Sequence, residues 1–109
     1  MSNLLDLVGD TPLVEIEKNI FAKLEFQNPS GSVKDRAAAA IIFSAEKSGA
    51  LDSTKTIVEA TSGNFGIALA TFAAAKNYKI KICLPENFSL ERQKILGAFG
   101  AELILTPAA

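Results

Sequence analysis

Residues 55–85 read KTIVEATSGNFGIALATFAAAKNYKIKICLP, and this stretch decides the fold. KTIVEA and KIKICL carry β-branched residues at strand length, while GNFGIALATFAAAKN between them is rich in helix formers. Strand, helix, strand is the unit that makes parallel pairing, with a right-handed crossover. The helix is apolar nearly all round, from Ile67, Ala68, Leu69 and Ala70 to Phe72 and Ala73, which predicts burial, and its small residues permit close approach. Cys83, the only cysteine, reads as a small buried residue on the second strand.

Working outward, SLERQKILGAF predicts an amphipathic helix and AELILT a further strand. Upstream, SVKDRAAAAIIFSAEKS predicts a helix over residues 32–48 that stops at Gly49, a natural residue for leaving a helix. LVEI and IFAKLEF read as two short strands, after a helix signal at residues 3–8 and the turn GDTP. The order β-α-β-α-β-α-β implies the α/β class, with four parallel-type strands and covering helices. No repeat, low-complexity tract or linker interrupts the chain. The sequence stops at LTPAA, directly after a strand, where such a sheet continues into a loop and helix. The expectation is therefore that residues 1–109 are an incomplete N-terminal α/β region with an exposed edge strand.

The chain has 109 residues, 49% of them hydrophobic, with 11 basic and 12 acidic side chains. Near-neutral charge without a basic cluster argues against nucleic acid or an anionic membrane as partner. The opening MSNLLDLVGD lacks the basic and apolar regions of a secretory signal, and no apolar run is long enough to span a membrane. A cytoplasmic location follows as the expectation. With no histidine and one cysteine, histidine-based triads, disulfide scaffolds and zinc clusters are excluded within the chain, and no metal is expected.

Two loops remain that can carry chemistry. NPSGSVKDR, residues 28–36, has turn residues followed by Ser32 and Asp35 in capping-box spacing. Lys34 then sits in the first helical turn, beside the positive end of the helix dipole, at a cost of about 0.3–1 kcal/mol. Either the amine is simply solvated, or it is made less basic and suited to attack a carbonyl. The second loop, EATSGNFG at residues 59–66, offers Thr61, Ser62, Gly63 and Asn64 at a helix N-terminus. A small carboxylate or a phosphate fits there; an ordinary cap at Ser62, with Gly63 for geometry, fits equally. Each loop follows a strand, so both are expected to open on one sheet edge.

Together these stretches resemble a known family, the fold type II pyridoxal-phosphate enzymes, and within it the cysteine synthase (O-acetylserine sulfhydrylase) and cystathionine β-synthase group. LLDLVGDTPLV is similar to the family's opening, NPSGSVKDRAA to its Schiff-base lysine motif and EATSGNFGIALA to its substrate-carboxylate loop. ERQKILGAFGAELILTPA resembles the helix and strand that follow. The resemblance implies the N-terminal part of a tryptophan synthase β-like fold. It implies pyridoxal 5'-phosphate held as a Schiff base by Lys34, which then serves as acid/base at the substrate Cα. Asn64 would bond the cofactor's ring oxygen, while Thr61, Ser62, Gly63 and the loop backbone would hold the substrate carboxylate.

The implied reaction is β-replacement, making cysteine from O-acetylserine and sulfide. A lyase relative, either a cysteine desulfhydrase or lanthionine-type synthase or a serine/threonine dehydratase, is the second implication. A truncated, non-catalytic α/β module that binds a small anion or a partner is the third. Phe65 stands where the family usually has threonine, which removes a hydroxyl from the carboxylate loop and leaves the β-substituted substrate open. The family's later Gly/Thr-rich phosphate loop has no counterpart among the seven glycines here, so this region alone is expected to be inactive. A homodimer, and docking of a serine acetyltransferase C-terminal peptide, are further implications of the resemblance.

Overall fold

The computed structural model describes residues 3–61 and 63–108. The crossover unit appears where its periodicity puts it, as strand β3 at Thr56–Ala60, helix α2 at Asn64–Ala75 and strand β4 at Lys79–Pro85. Helix α3 (Leu90–Ala98) and strand β5 (Glu102–Thr106) extend it. The three strands pair in parallel in the order β3-β4-β5. Successive right-handed crossovers in one direction put α2 and α3 on the same face of the sheet. Burial agrees, since Ile80, Ile82 and Leu84 of β4 lie in the core while Lys81 and Cys83 between them are only half-buried. Cys83 is thus on the half-covered face and not in the core, a correction to its reading as a buried residue.

Four parallel-type strands were expected, and among the described residues the parallel sheet has three. The first two strands, β1 (Leu13–Glu17) and β2 (Ile20–Lys23), form a separate antiparallel hairpin. Only Lys18 and Asn19 join them, with Asn19 at φ 60°. A link that short closes a hairpin, whereas parallel pairing needs a crossover of a dozen or more residues. The expected strand IFAKLEF also ends early. Glu25–Gln27 turns into a short 3-10 segment, because Glu25 is drawn into the polar frame described below.

Helix α1 spans Lys34–Lys47 and leaves through Ser48 and Gly49, the latter at φ 76°. It packs along α2, and one cluster unites Ala38 and Ile42 of α1 with Ala68, Leu69 and Phe72 of α2, with Ile82 of β4 and with Leu96 of α3. Each large side chain buried this way contributes about 1.5–3 kcal/mol. Helix α2 is the centre of the fold, as its near-uniform apolarity required. At its far end Lys76 Nζ meets Glu46 of α1 at 2.8 Å, and Tyr78 Oη donates to Glu46 at 2.6 Å. These bonds hold the Glu46 carboxylate below its ordinary pKa, the Lys76 bond first and the Tyr78 bond second. Among the described residues no helix is long and apolar enough to cross a membrane.

Candidate active site

The clamp between Glu46 and Lys76 fixes the direction of the helix pair. Glu46 lies twelve residues after Lys34, and Lys76 lies twelve after Asn64. Two packed helices joined at their C-terminal ends run the same way, so their first residues, Lys34 and Asn64, stand at the same end, about 18 Å from the clamp. That end is the carboxyl edge of the sheet, because α2 begins where β3 stops and Thr61 N donates to Cys83 O of β4 at 3.2 Å. The two loops were expected on one edge because each follows a strand of one sheet. The structure corrects the reason: β2 lies outside that sheet, and helix packing is what brings the loops to one end.

Lys34 is exposed, and its amine has no hydrogen bond or ion pair among the described residues. Its neighbours are tied down. The expected capping box does not form: Val33 is the N-cap, Ser32 Oγ accepts the Lys34 N–H at 3.2 Å in place of the Asp35 N–H, and Asp35 does not return to Ser32. Its carboxylate instead takes the Ser30 N–H at 2.7 Å and the Ser30 hydroxyl. Two serines precede Asp35, and the one whose turn geometry points back at the helix wins. Asp35 is completely buried.

On the other side of Lys34, Arg36 grips Glu25 with two bonds, Nε to Oε2 at 2.8 Å and Nη2 to Oε1 at 3.0 Å. Thr11 donates to the same carboxylate. Arg36, then Thr11, hold the Glu25 carboxyl down to about 2 from an ordinary value of 4.5. Buried Asn28 completes the frame, accepting the Gly9 N–H at 2.9 Å and donating to Glu25 O and Oε2. Such bidentate, charge-assisted contacts are the strong members of their class.

The second loop is differently made. The N-cap of α2 is Gly63, without a side-chain cap; Ser62, where the cap was expected, lies outside the described residues. Gly63 N donates weakly to Thr61 Oγ1 at 3.4 Å. Asn64 is exposed, so its amide is available. Phe65 is half-buried and packs against the core cluster, so its ring turns inward. The first-turn N–H groups of a helix lack intrahelical partners, and here they face the carboxyl edge.

Two residues passed over in the sequence shape this loop. A Cβ on Gly66 would lie 2.3 Å from Thr61 Cγ2, so Thr61 rests directly on the backbone of α2. The spacing GNFG hinted at a close approach but not at its partner. Arg92 of α3 brings its guanidinium within 3.7 Å of where a Cβ on Gly63 would stand, and it lies 5.9 Å over the Phe88 ring. Nothing local in the sequence signals that placement. Ile67, Phe88, Ser89, Arg92 and Ile95 line an open cavity of about 570 Å³ beside the loop. None of Lys34, Thr61, Gly63, Asn64 and Phe65 lines it.

A family model described as pyridoxal-phosphate dependent enzyme matches residues 4–109. A cysteine synthase from a Flavobacterium species is 50% identical over 111 aligned positions, covering 96% of this chain and 36% of that protein. A hydrogen sulfide-producing enzyme from Fusobacterium nucleatum superimposes with a TM-score of 0.92 at 47% identity, over 98% of this chain and 37% of that one. For a cysteine synthase from Entamoeba histolytica the TM-score is 0.92 at 45% identity, over 98% of this chain and 35% of that one. The chain therefore spans little more than a third of the length of these relatives.

Proposed function

The chain belongs to the pyridoxal-phosphate-dependent enzymes, and from that premise we propose that a protein carrying this region performs β-replacement, making cysteine from O-acetylserine and sulfide. What supports the reading is the clamp between Glu46 and Lys76, which, with α1 packed along α2, sets Lys34 and the first residues of α2 at one end of the parallel helix pair. The donor set suits the cofactor: an exposed amine for its aldehyde, and an exposed amide at Asn64 for its ring oxygen. Pyridoxal phosphate, when bound, supplies the electron sink for removing an amino-acid α-proton, which no side chain here provides.

In this reading Lys34 Nζ holds the cofactor and afterwards carries the proton taken from Cα. Thr61 Oγ1, Ser62 and the N–H groups of the α2 first turn bind the substrate carboxylate, with the helix dipole favouring its charge. Phe65 contributes no hydroxyl, and its inward ring leaves the carboxylate to Thr61 and the backbone. The resemblance to relatives nearly three times as long supports a site completed by other parts of the polypeptide, so residues 1–109 alone are proposed to be inactive. A homodimer, a cytoplasmic location and a docked serine acetyltransferase peptide belong to the same reading.

A second reading, lyase chemistry on cysteine itself, is favoured by the likeness to a hydrogen sulfide-producing enzyme and by Phe65 in the carboxylate loop. Product analysis separates the two. Cysteine formed from O-acetylserine and sulfide is the expected result; ammonia and a keto acid from cysteine would transfer the assignment to the lyase. Borohydride reduction of the cofactor-loaded protein is expected to leave a pyridoxyl group on Lys34. Its absence there would overturn both enzyme readings and leave the anion-binding module.

A further inference from the structure

Asp35 is a buried carboxylate for which the reaction described above has no use. It is fully inaccessible to solvent, it follows Lys34 directly, and it makes no ion pair with Lys34 among the described residues. Its two oxygens are taken up by one residue, Oδ2 by the Ser30 N–H at 2.7 Å and Oδ1 by the Ser30 hydroxyl. A carboxylate left buried without such donors is costly. The pair therefore closes residues 30–35 into a ring across the entry to α1, and the Lys34 backbone lies within it.

Side chains at successive helical positions point about 100° apart. Burying Asp35 against Ser30 thus leaves Lys34 outward, at the end it shares with Asn64. We propose that Asp35 is a positioning residue for Lys34, acting through the Ser30 ring and not through its charge. The inference rests on the reading of Lys34 as the amine that holds the cofactor. It assigns the work of the KDR triplet unevenly: Lys34 reacts, Asp35 aims it, and Arg36 ties the segment to Glu25 and Thr11.

The test uses the complete protein that carries this region, with Asp35→Ala, Asp35→Asn and Ser30→Ala variants. Asparagine can accept from the Ser30 N–H and donate to the Ser30 Oγ, so it keeps the ring while removing the charge. The first readout is the rate at which added pyridoxal 5'-phosphate becomes borohydride-trapped on the Lys34 peptide. Asp35→Ala should slow trapping by about tenfold to a hundredfold, the scale of a misplacement near 1 Å. Ser30→Ala should slow it less, and Asp35→Asn should restore most of the loss.

The second readout needs no cofactor: amide hydrogen exchange at Lys34 should accelerate in Asp35→Ala while exchange in α2 stays protected. Should Asp35→Ala fail to fold, Ser30→Ala and Asp35→Asn decide the matter by the same two measurements. Folded variants that trap and exchange at the parent rate would overturn the proposal. So would a loss in Asp35→Asn equal to that in Asp35→Ala, which would make charge the cause. Were the parent's adduct to lie on another lysine, the reading of Lys34 would fail, and hydrogen exchange would still judge the positioning.

Discussion

At the start of α1 the side chains of Asn28, Asp35 and Arg36 are each bonded to a named neighbour, whereas at the start of α2 the described contacts include backbone bonds from Thr61 to β4 and from Gly63 to Thr61 Oγ1, the seat of Thr61 on Gly66 and the approach of Arg92 to Gly63. One entry is held by hydrogen bonds between its own segment and the preceding turns. The other rests, among the described residues, on the Thr61 N–H bond to Cys83 O of β4 and on packing. The difference suits their proposed tasks: an amine that must be aimed wants a rigid collar, and a loop that receives an anion wants unsatisfied N–H groups. What the entries share is the helix pair beneath them.

The strongest way to break the comparison is therefore to loosen that pair. Phe72 is fully buried between α2 and its neighbours, and Phe72→Ala should cost about 3–5 kcal/mol through lost burial and a cavity. Urea unfolding of the protein carrying this region checks it. Both helix entries should lose hydrogen-exchange protection together, since they depend on one core. Loss at one entry only would mean that the two are anchored independently.

A smaller and more selective change acts on the second loop. Gly66→Ala puts a methyl group 2.3 Å from Thr61 Cγ2, an overlap that should cost about 1–3 kcal/mol. Thr61→Ser removes the clashing methyl and keeps the hydroxyl, so the double variant Thr61→Ser/Gly66→Ala should regain most of the loss. Contacting residues couple in this way and distant ones do not. Additive losses would show that Thr61 does not rest on α2. The collar at α1 should exchange at the parent rate in every member of the cycle.

The contrast also explains what could be read from the sequence. Residues 55–106 announced their strands and helices because period and composition are local properties, and α2 announced its burial because every face of it is apolar. The hairpin was misread because a strand's own residues do not say whether its partner runs parallel. Its signal was the two-residue link at Lys18 and Asn19. Lys34 and Asn64 were legible as helix-start residues. The collar was not, since it joins Thr11, Glu25 and Arg36 across separations of 11 to 25 residues. Asp35 was visible as a cap but assigned to Ser32, because spacing alone does not distinguish it from Ser30.

The smallest expected effect concerns the collar's charge. In the fold the Glu25 carboxylate keeps its charge down to about pH 2, whereas unfolded it takes up a proton near 4.5. A carboxyl group whose pKa is lowered by folding adds stability that is whole above the unfolded value and disappears as the pH falls through the folded one. The parent should therefore be more stable than Glu25→Gln at pH 6, and the gap should close between about pH 4.5 and pH 2. Urea midpoints of both proteins at several pH values, without cofactor, measure it. Because Arg36 is the first cause of the lowered value and Thr11 the second, Arg36→Gln should flatten the same window more than Thr11→Val. A gap that stays constant down to pH 2 would mean that Glu25 holds the collar as a hydrogen-bond acceptor alone. The two helix entries would then differ in how many bonds they make and not in charge.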